Sequence, residues 1–74
     1  MPKLRVLSGR DVRAILEANG FVLARQRGSH MIMQKATDAG ALTVPVPYSR
    51  VVPPGTLLSI IRQSGLPRSL FETQ

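Results

Sequence analysis

The 74 residues contain no cysteine and no tryptophan, only three other aromatic side chains, one histidine, and four acidic residues against ten basic ones. Without cysteine, disulfides and thiolate zinc sites are excluded as staples, and a single histidine cannot supply a His-rich centre. No metal and no other cofactor is expected. With Phe21, Tyr48 and Phe71 as the whole aromatic complement, a platform on which successive bases stack is excluded too. No stretch approaches the ~18 apolar residues of a membrane span, and residues 1–7 lack the apolar run of a secretory leader. The expectation is no membrane role and a cytoplasmic location.

What is abundant is positive charge. The formal net charge is +6 and the sequence pI is about 11.5, the electrostatic signature of a nucleic-acid binder or of a protein with an acidic partner. The basic residues are scattered along the chain, and neither expected helix is basic along one face as a DNA-recognition helix is. Recognition of a phosphate backbone and of shape is the natural mode. A chain of this length is expected to form one domain, residues 1–74, that buries only a little over ~60% of its unfolded surface. A permanent partner or a homo-oligomer would add stability.

The pattern of elements reads α-β-β-β-α. Ser8 and Asp11 form a capping-box start with Leu7 placed as a staple, and Val12, Ile15 and Leu16 give the helical stripe. Asn19-Gly20 stops this helix, which spans about Gly9 to Asn19. Phe21 to Gln26 and Ser29 to Lys35 read as antiparallel strands joined at Arg27-Gly28, where Gly28 allows positive φ. Ala36 to Gly40 reads as a polar loop, and Leu42 to Val46 as a third strand that Pro45 assigns to an edge. Pro54 opens a second helix with Leu57, Leu58 and Ile61, together with Ile60, as its buried stripe. Gly65 closes it, and a short turn over Pro67 to Glu72 docks Leu70 and Phe71. The expected fold class is α+β, a three-stranded antiparallel sheet with two helices on one face, similar to double-stranded-RNA-binding domains. Alternation in the second strand groups His30 with Ile32 and Gln34 against Met31, Met33 and Lys35, and either set suits the core.

The chemistry of the chain gathers around His30. Imidazole titrates near neutral pH and is suited to proton transfer. RNA carries its own nucleophile, the 2′-OH, so a ribonuclease needs only proton transfer, charge stabilisation and positioning. Arg25 and Arg27, close by in sequence, can neutralise charge developing on phosphorane oxygens. Gly28 and Ser29 immediately precede His30, and the Ser29 hydroxyl suits a hairpin or phosphate contact better than a nucleophile, because no triad acid accompanies it. Tyr48 suits proton donation, RNA contact or a half-buried edge position. Lys35 and Arg50 suit phosphate contact or plain solvation, and Lys3, Arg5, Arg10 and Arg13 cluster at the start of the first helix, open to RNA or to an acidic protein surface.

Ala18-Asn19-Gly20-Phe21, Arg25 to His30, Thr43-Val44-Pro45-Val46-Pro47, Pro54-Gly55-Thr56-Leu57 and Ile61 to Leu66, in this order, resemble the HicA toxin family of bacterial toxin-antitoxin systems. The resemblance covers nearly the whole chain. It implies an endoribonuclease toxin that cleaves mRNA without a metal, with His30 catalytic, Gly28 and Ser29 as the motif's turn and neighbour, and a HicB-type antitoxin as inhibitory partner. Contact with operator DNA would occur only within the toxin-antitoxin complex. The chain departs from the family in carrying Tyr48 where many members have a second histidine, and Met31 where a polar or aromatic residue is common, so a two-histidine scheme is not available. The alternative from another class is a non-catalytic RNA-binding module in which His30 and the arginines contact the backbone without cleaving.

Overall fold

A computed structural model describes residues 3–73. The element order is α1 (Gly9–Ala18), β1 (Val22–Arg27), β2 (His30–Thr37), β3 (Gly40–Pro47), α2 (Pro54–Ser64) and a 3₁₀ turn, Arg68–Phe71. The three strands form an antiparallel meander with β2 in the middle. The α+β class and the α-β-β-β-α order are those the sequence predicts.

Both helices form where their end signals stand. Ser8 Oγ accepts from Asp11 N–H at 3.0 Å, and Asp11 Oδ2 accepts from Ser8 N–H at 3.0 Å, so two of the four orphan donors of α1 are satisfied reciprocally. The carboxyl of Asp11 is held below the ordinary aspartate range, first by the Ser8 backbone N–H, then by the Ser8 hydroxyl, with Arg5 adding to it. Helix α2 starts with proline in its first turn and ends at Gly65 in the left-handed conformation, φ 70°. Its buried residues are Leu57, Ile60, Ile61 and Ser64. Leu58, expected in that stripe, is 43% exposed, because the i, i+3, i+4, i+7 set that faces the sheet runs through position 60 instead. In the 3₁₀ turn Phe71 is fully buried while Leu70 stays at the surface. The turn sits against the start of the chain, where Arg5 N–H donates to Phe71 O at 2.8 Å.

The β2–β3 hairpin is tighter than the sequence suggests, and the β1–β2 turn is as short as expected but falls at Gly28-Ser29, one residue later than Arg27-Gly28, with Arg27 in β1. The ladder between β2 and β3 runs on to Thr37 opposite Gly40, so the expected five-residue loop shrinks to the turn at Asp38-Ala39. Thr37 and Gly40 belong to the strands and not to the loop, Thr37 through its β-branched fit to a pleated surface and a hydroxyl that donates to Gly40 O.

One face of the sheet carries the core. Met31, Met33, Val44 and Val46 are fully buried and cluster with Val12 and Leu16 of α1, Leu57, Ile60 and Ile61 of α2, and Leu7, Phe21, Val52 and Phe71. Both helices therefore lie on the methionine face, which settles the ambiguity in β2. His30, Ile32 and Gln34 belong to the opposite face. Ile32 is 8% exposed yet stands outside the main cluster, flanked by Arg25 on β1 and Pro45 on β3. No described helix is long and apolar enough to cross a membrane.

Candidate functional site

His30 is the first residue of β2 and is exposed. The turn before it, Gly28-Ser29, is closed by the pairing of Arg27 with His30. Gly28 has φ 60°, left-handed backbone that glycine adopts without the strain a Cβ would bring. Among the described residues none makes a side-chain hydrogen bond to the imidazole, so its ring edges are open to a ligand.

The placement of the two arginines depends on a bulge. The β1–β2 register runs Leu23 opposite Met33, then Arg25 opposite Ile32 and Arg27 opposite His30, with a shift between Leu23 and Arg25. Ala24 is the extra residue. By simple alternation residues 23, 25 and 27 would share a face, and Leu23 packs against the core cluster. One inserted residue resets the phase of the strand, and Arg25 and Arg27 come to the open face beside Ile32 and His30. Directly opposed residues have Cβ atoms ~5 Å apart, which sets Arg27 next to the imidazole. Sequence reading missed this device, and a small alanine inside an otherwise bulky strand is the only local trace of it.

A second group arrives from the segment after β3. Pro47 lies opposite His30, and Tyr48 N–H donates to Ser29 O at 2.7 Å, so the segment is tied to the turn that carries His30. It is also tied to the start of α1, through Gly9 N–H to Ser49 O at 2.8 Å and Val52 N–H to Leu7 O at 2.7 Å. The approach is close enough that a Cβ on Gly9 would stand 2.1 Å from Pro47 O. This contact brings Arg10 to Tyr48, 38 residues away: Arg10 Nε donates to Tyr48 Oη at 2.9 Å, with Nη2 donating to the same oxygen, and the guanidinium lies 5.4 Å from the ring centroid. Sequence reading put Arg10 in a diffuse basic cluster. The available signal was its neighbour Gly9, a glycine opening a helix where another backbone approaches.

Of the expected site residues, His30, Arg25, Arg27, Gly28, Ser29, Tyr48 and Arg50 are therefore brought to one end of the sheet or to the segment bonded to it. Lys35 is not. It sits five residues along β2, where Nζ donates to Asn19 O at 3.0 Å and lies 5.8 Å from the Phe21 ring centroid. The last turn of α1 has no basic residue of its own, so Lys35 supplies the cation that favours a helix C-terminus.

The carboxylates stand apart from the His30 corner or are already committed. Glu17 pairs with Arg13 at 3.4 Å and Glu72 with Arg68 at 2.7 Å, while Asp11 is held by the capping box. Asp38 lies in the β2–β3 turn, beyond the far end of a strand ~25 Å long. Arg25, Arg27 and Arg50 have no carboxylate partner among the described residues, and the end of the sheet around His30 is positive without internal compensation. Such a surface attracts an anion and can stabilise charge that develops on it.

The family model described as HicA toxin of bacterial toxin-antitoxin matches residues 9–66 of this chain, a span that begins at Gly9 and runs past the end of α2. No curated protein and no solved structure matched.

Proposed function

The chain belongs to the HicA toxin family of bacterial toxin-antitoxin systems, and from that premise we propose that it is an endoribonuclease, a single toxin domain that cleaves mRNA with His30 as its proton-transfer group. The observation that carries this reading is the open face of the sheet: an exposed imidazole with unoccupied ring edges, Arg27 opposite it, Arg25 two pairs further along, and no carboxylate beside them.

The chemistry follows from the substrate. Neutral His30 takes the proton of a 2′-OH, the oxygen attacks the adjacent phosphorus, and the 5′-oxygen leaves, protonated from solvent. The products are a 2′,3′-cyclic phosphate and a 5′-hydroxyl. Arg25 and Arg27 neutralise the charge that accumulates on the phosphorane oxygens, and the Gly28-Ser29 turn positions the ring. Proton transfer by a placed side chain contributes ~10²- to 10⁴-fold. Tyr48 and Arg50 contact the RNA backbone. Lys35, engaged at the end of α1, contributes to the fold.

In this reading a HicB-type antitoxin inhibits the toxin by covering the same positive face, contact with operator DNA arises only in that complex, and the protein acts in the cytoplasm, where its substrate is. The test is incubation of purified protein with 5′-labelled mRNA in EDTA, wild type beside His30→Ala, with product ends mapped. Cleavage by wild type alone, with cyclic-phosphate ends, supports the reading. RNA bound but intact in both reactions turns it toward a binding module, and equal cleavage in both removes His30 from the mechanism.

A further inference from the structure

An open cleft of about 370 Å³ lies where the start of α1 meets the segment after β3, lined by Ser8, Arg10, Tyr48, Ser49 and Arg50. We propose that this cleft is a second phosphate subsite, which seats the RNA phosphate next to the one at His30; the assignment rests on the ribonuclease reading above.

Three features carry it. The first is position. Pro47 pairs with His30 and Tyr48 N–H is bonded to Ser29 O, so the cleft adjoins the reacting corner through two backbone links. A strand of RNA lying on the open face and leaving past Pro47 meets it next.

The second is donor supply. Arg10 gives Nε and Nη2 to Tyr48, which leaves Nη1 available. Tyr48 Oη accepts both of those N–H groups and so keeps its own hydrogen to donate outward. The guanidinium of Arg50 has no partner among the described residues, and its planar fork matches two phosphate oxygens. The subsite thus presents N–H and O–H donors and no free carboxylate: Asp11, the acid nearest to it in sequence, is turned to Ser8 N–H.

The third is pre-organisation. The Tyr48 ring is fixed by the Arg10 fork, whose guanidinium lies 5.4 Å from the ring centroid, and by a backbone tied at both ends to Ser29 and α1. Little ordering remains to be done when an anion arrives. A second cleft of about 390 Å³, lined by Arg5, Ser69, Leu70, Glu72 and Thr73, has a carboxylate in its wall and no link to the His30 turn.

The test uses the full-length His30→Ala protein and a short RNA with 2′-O-methyl sugars, in which each phosphate in turn is replaced by a neutral methylphosphonate. Adding Arg50→Ala is expected to weaken binding about three- to tenfold and to lower the slope of log K against log salt by ~0.7, the value for one single-strand contact. Arg10→Lys keeps the charge but loses the fork, and is expected to weaken binding by a smaller factor. One methylphosphonate position should weaken binding to His30→Ala and have no further effect once Arg50 is removed, the signature of a direct pair. Unchanged affinity and slope in both variants, or a methylphosphonate profile identical with and without Arg50, overturns the subsite. Cleavage by the unmodified protein is scored separately: cleavage without Arg50 dependence removes the subsite and leaves the ribonuclease, whereas Arg50-dependent binding without cleavage keeps the subsite and removes the ribonuclease.

Discussion

The two faces of the sheet are drawn from the same three strands and do opposite work. Along β2, Met31 and Met33 are fully buried beneath the helices, while His30 before them and Gln34 after them face away. Along β3, Val44 and Val46 join the core while Pro45 is exposed. The face under the helices is apolar and holds the chain together. The other carries the imidazole, two arginines and no carboxylate. A domain this small has little apolar area to spend, and the two-residue period of a strand lets it keep that area on one side and leave the other for a ligand. The separation is not automatic in β1, where the strand bulges at Ala24 to absorb one extra residue and so pairs Arg25 with Ile32 and Arg27 with His30 on the open face.

Cutting into the buried face breaks the comparison most severely. A domain of this length has a total stability of about 4–11 kcal/mol, so the loss of a few kcal/mol there is a large fraction of the whole. Met33→Ala, on the buried face, should cost about 2–5 kcal/mol, read as a lower midpoint in urea. Gly9→Ala should cost about 1–3 kcal/mol, since the new methyl meets the Pro47 carbonyl and not a side chain that can move aside. Because that contact also seats Tyr48, it should weaken RNA binding as well, which links the two faces at one residue.

Ser8→Ala sharpens the account by a smaller step, about 1 kcal/mol for a lost helix cap. The cap also carries a pH signature. The folded-state value of Asp11 is depressed, so its contribution is fully present above the ordinary aspartate range and lost as pH falls through the depressed value. Unfolding curves should show Asp11→Asn less acid-sensitive than wild type on the acid side of about pH 4, with the two parallel above it. Arg27→Ala is the smallest in stability, within about 0.5 kcal/mol at an exposed site, yet it should reduce the salt dependence of RNA binding by one contact.

Much of the fold was legible because its signals are local. Ser8 with Asp11, Pro54 and Gly65 each mark a helix end through bonds made within a few residues, and all three stand where the sequence put them. The stripe of α2 was legible except at Leu58, where several adjacent apolar residues leave the phase of a helix open. The face of β2 was not legible, because Ile32 and the two methionines are equally apolar and only the packing of distant helices chooses between them. The bulge at Ala24 and the Arg10–Tyr48 contact were out of reach for the same reason: each is set by what another segment does, and only Ala24 and Gly9 hint at them. His30 was legible as a candidate from residue type, since a single imidazole in a basic segment has few chemical competitors in this chain, while the turn before it falls one residue later than the spacing suggests.

The central claim is that the open face cleaves RNA through its own 2′-OH, with His30 moving the proton. The most direct measurement is the single-turnover cleavage rate of one mapped bond, for wild type and His30→Ala, on RNA and on the same RNA with a single 2′-deoxy sugar at that bond. The account predicts that His30→Ala slows the RNA reaction by ~10²- to 10⁴-fold with an unchanged melting temperature, and that the deoxy bond survives wild type. Cleavage of the deoxy bond at the RNA rate, or an undiminished rate in His30→Ala, would contradict it.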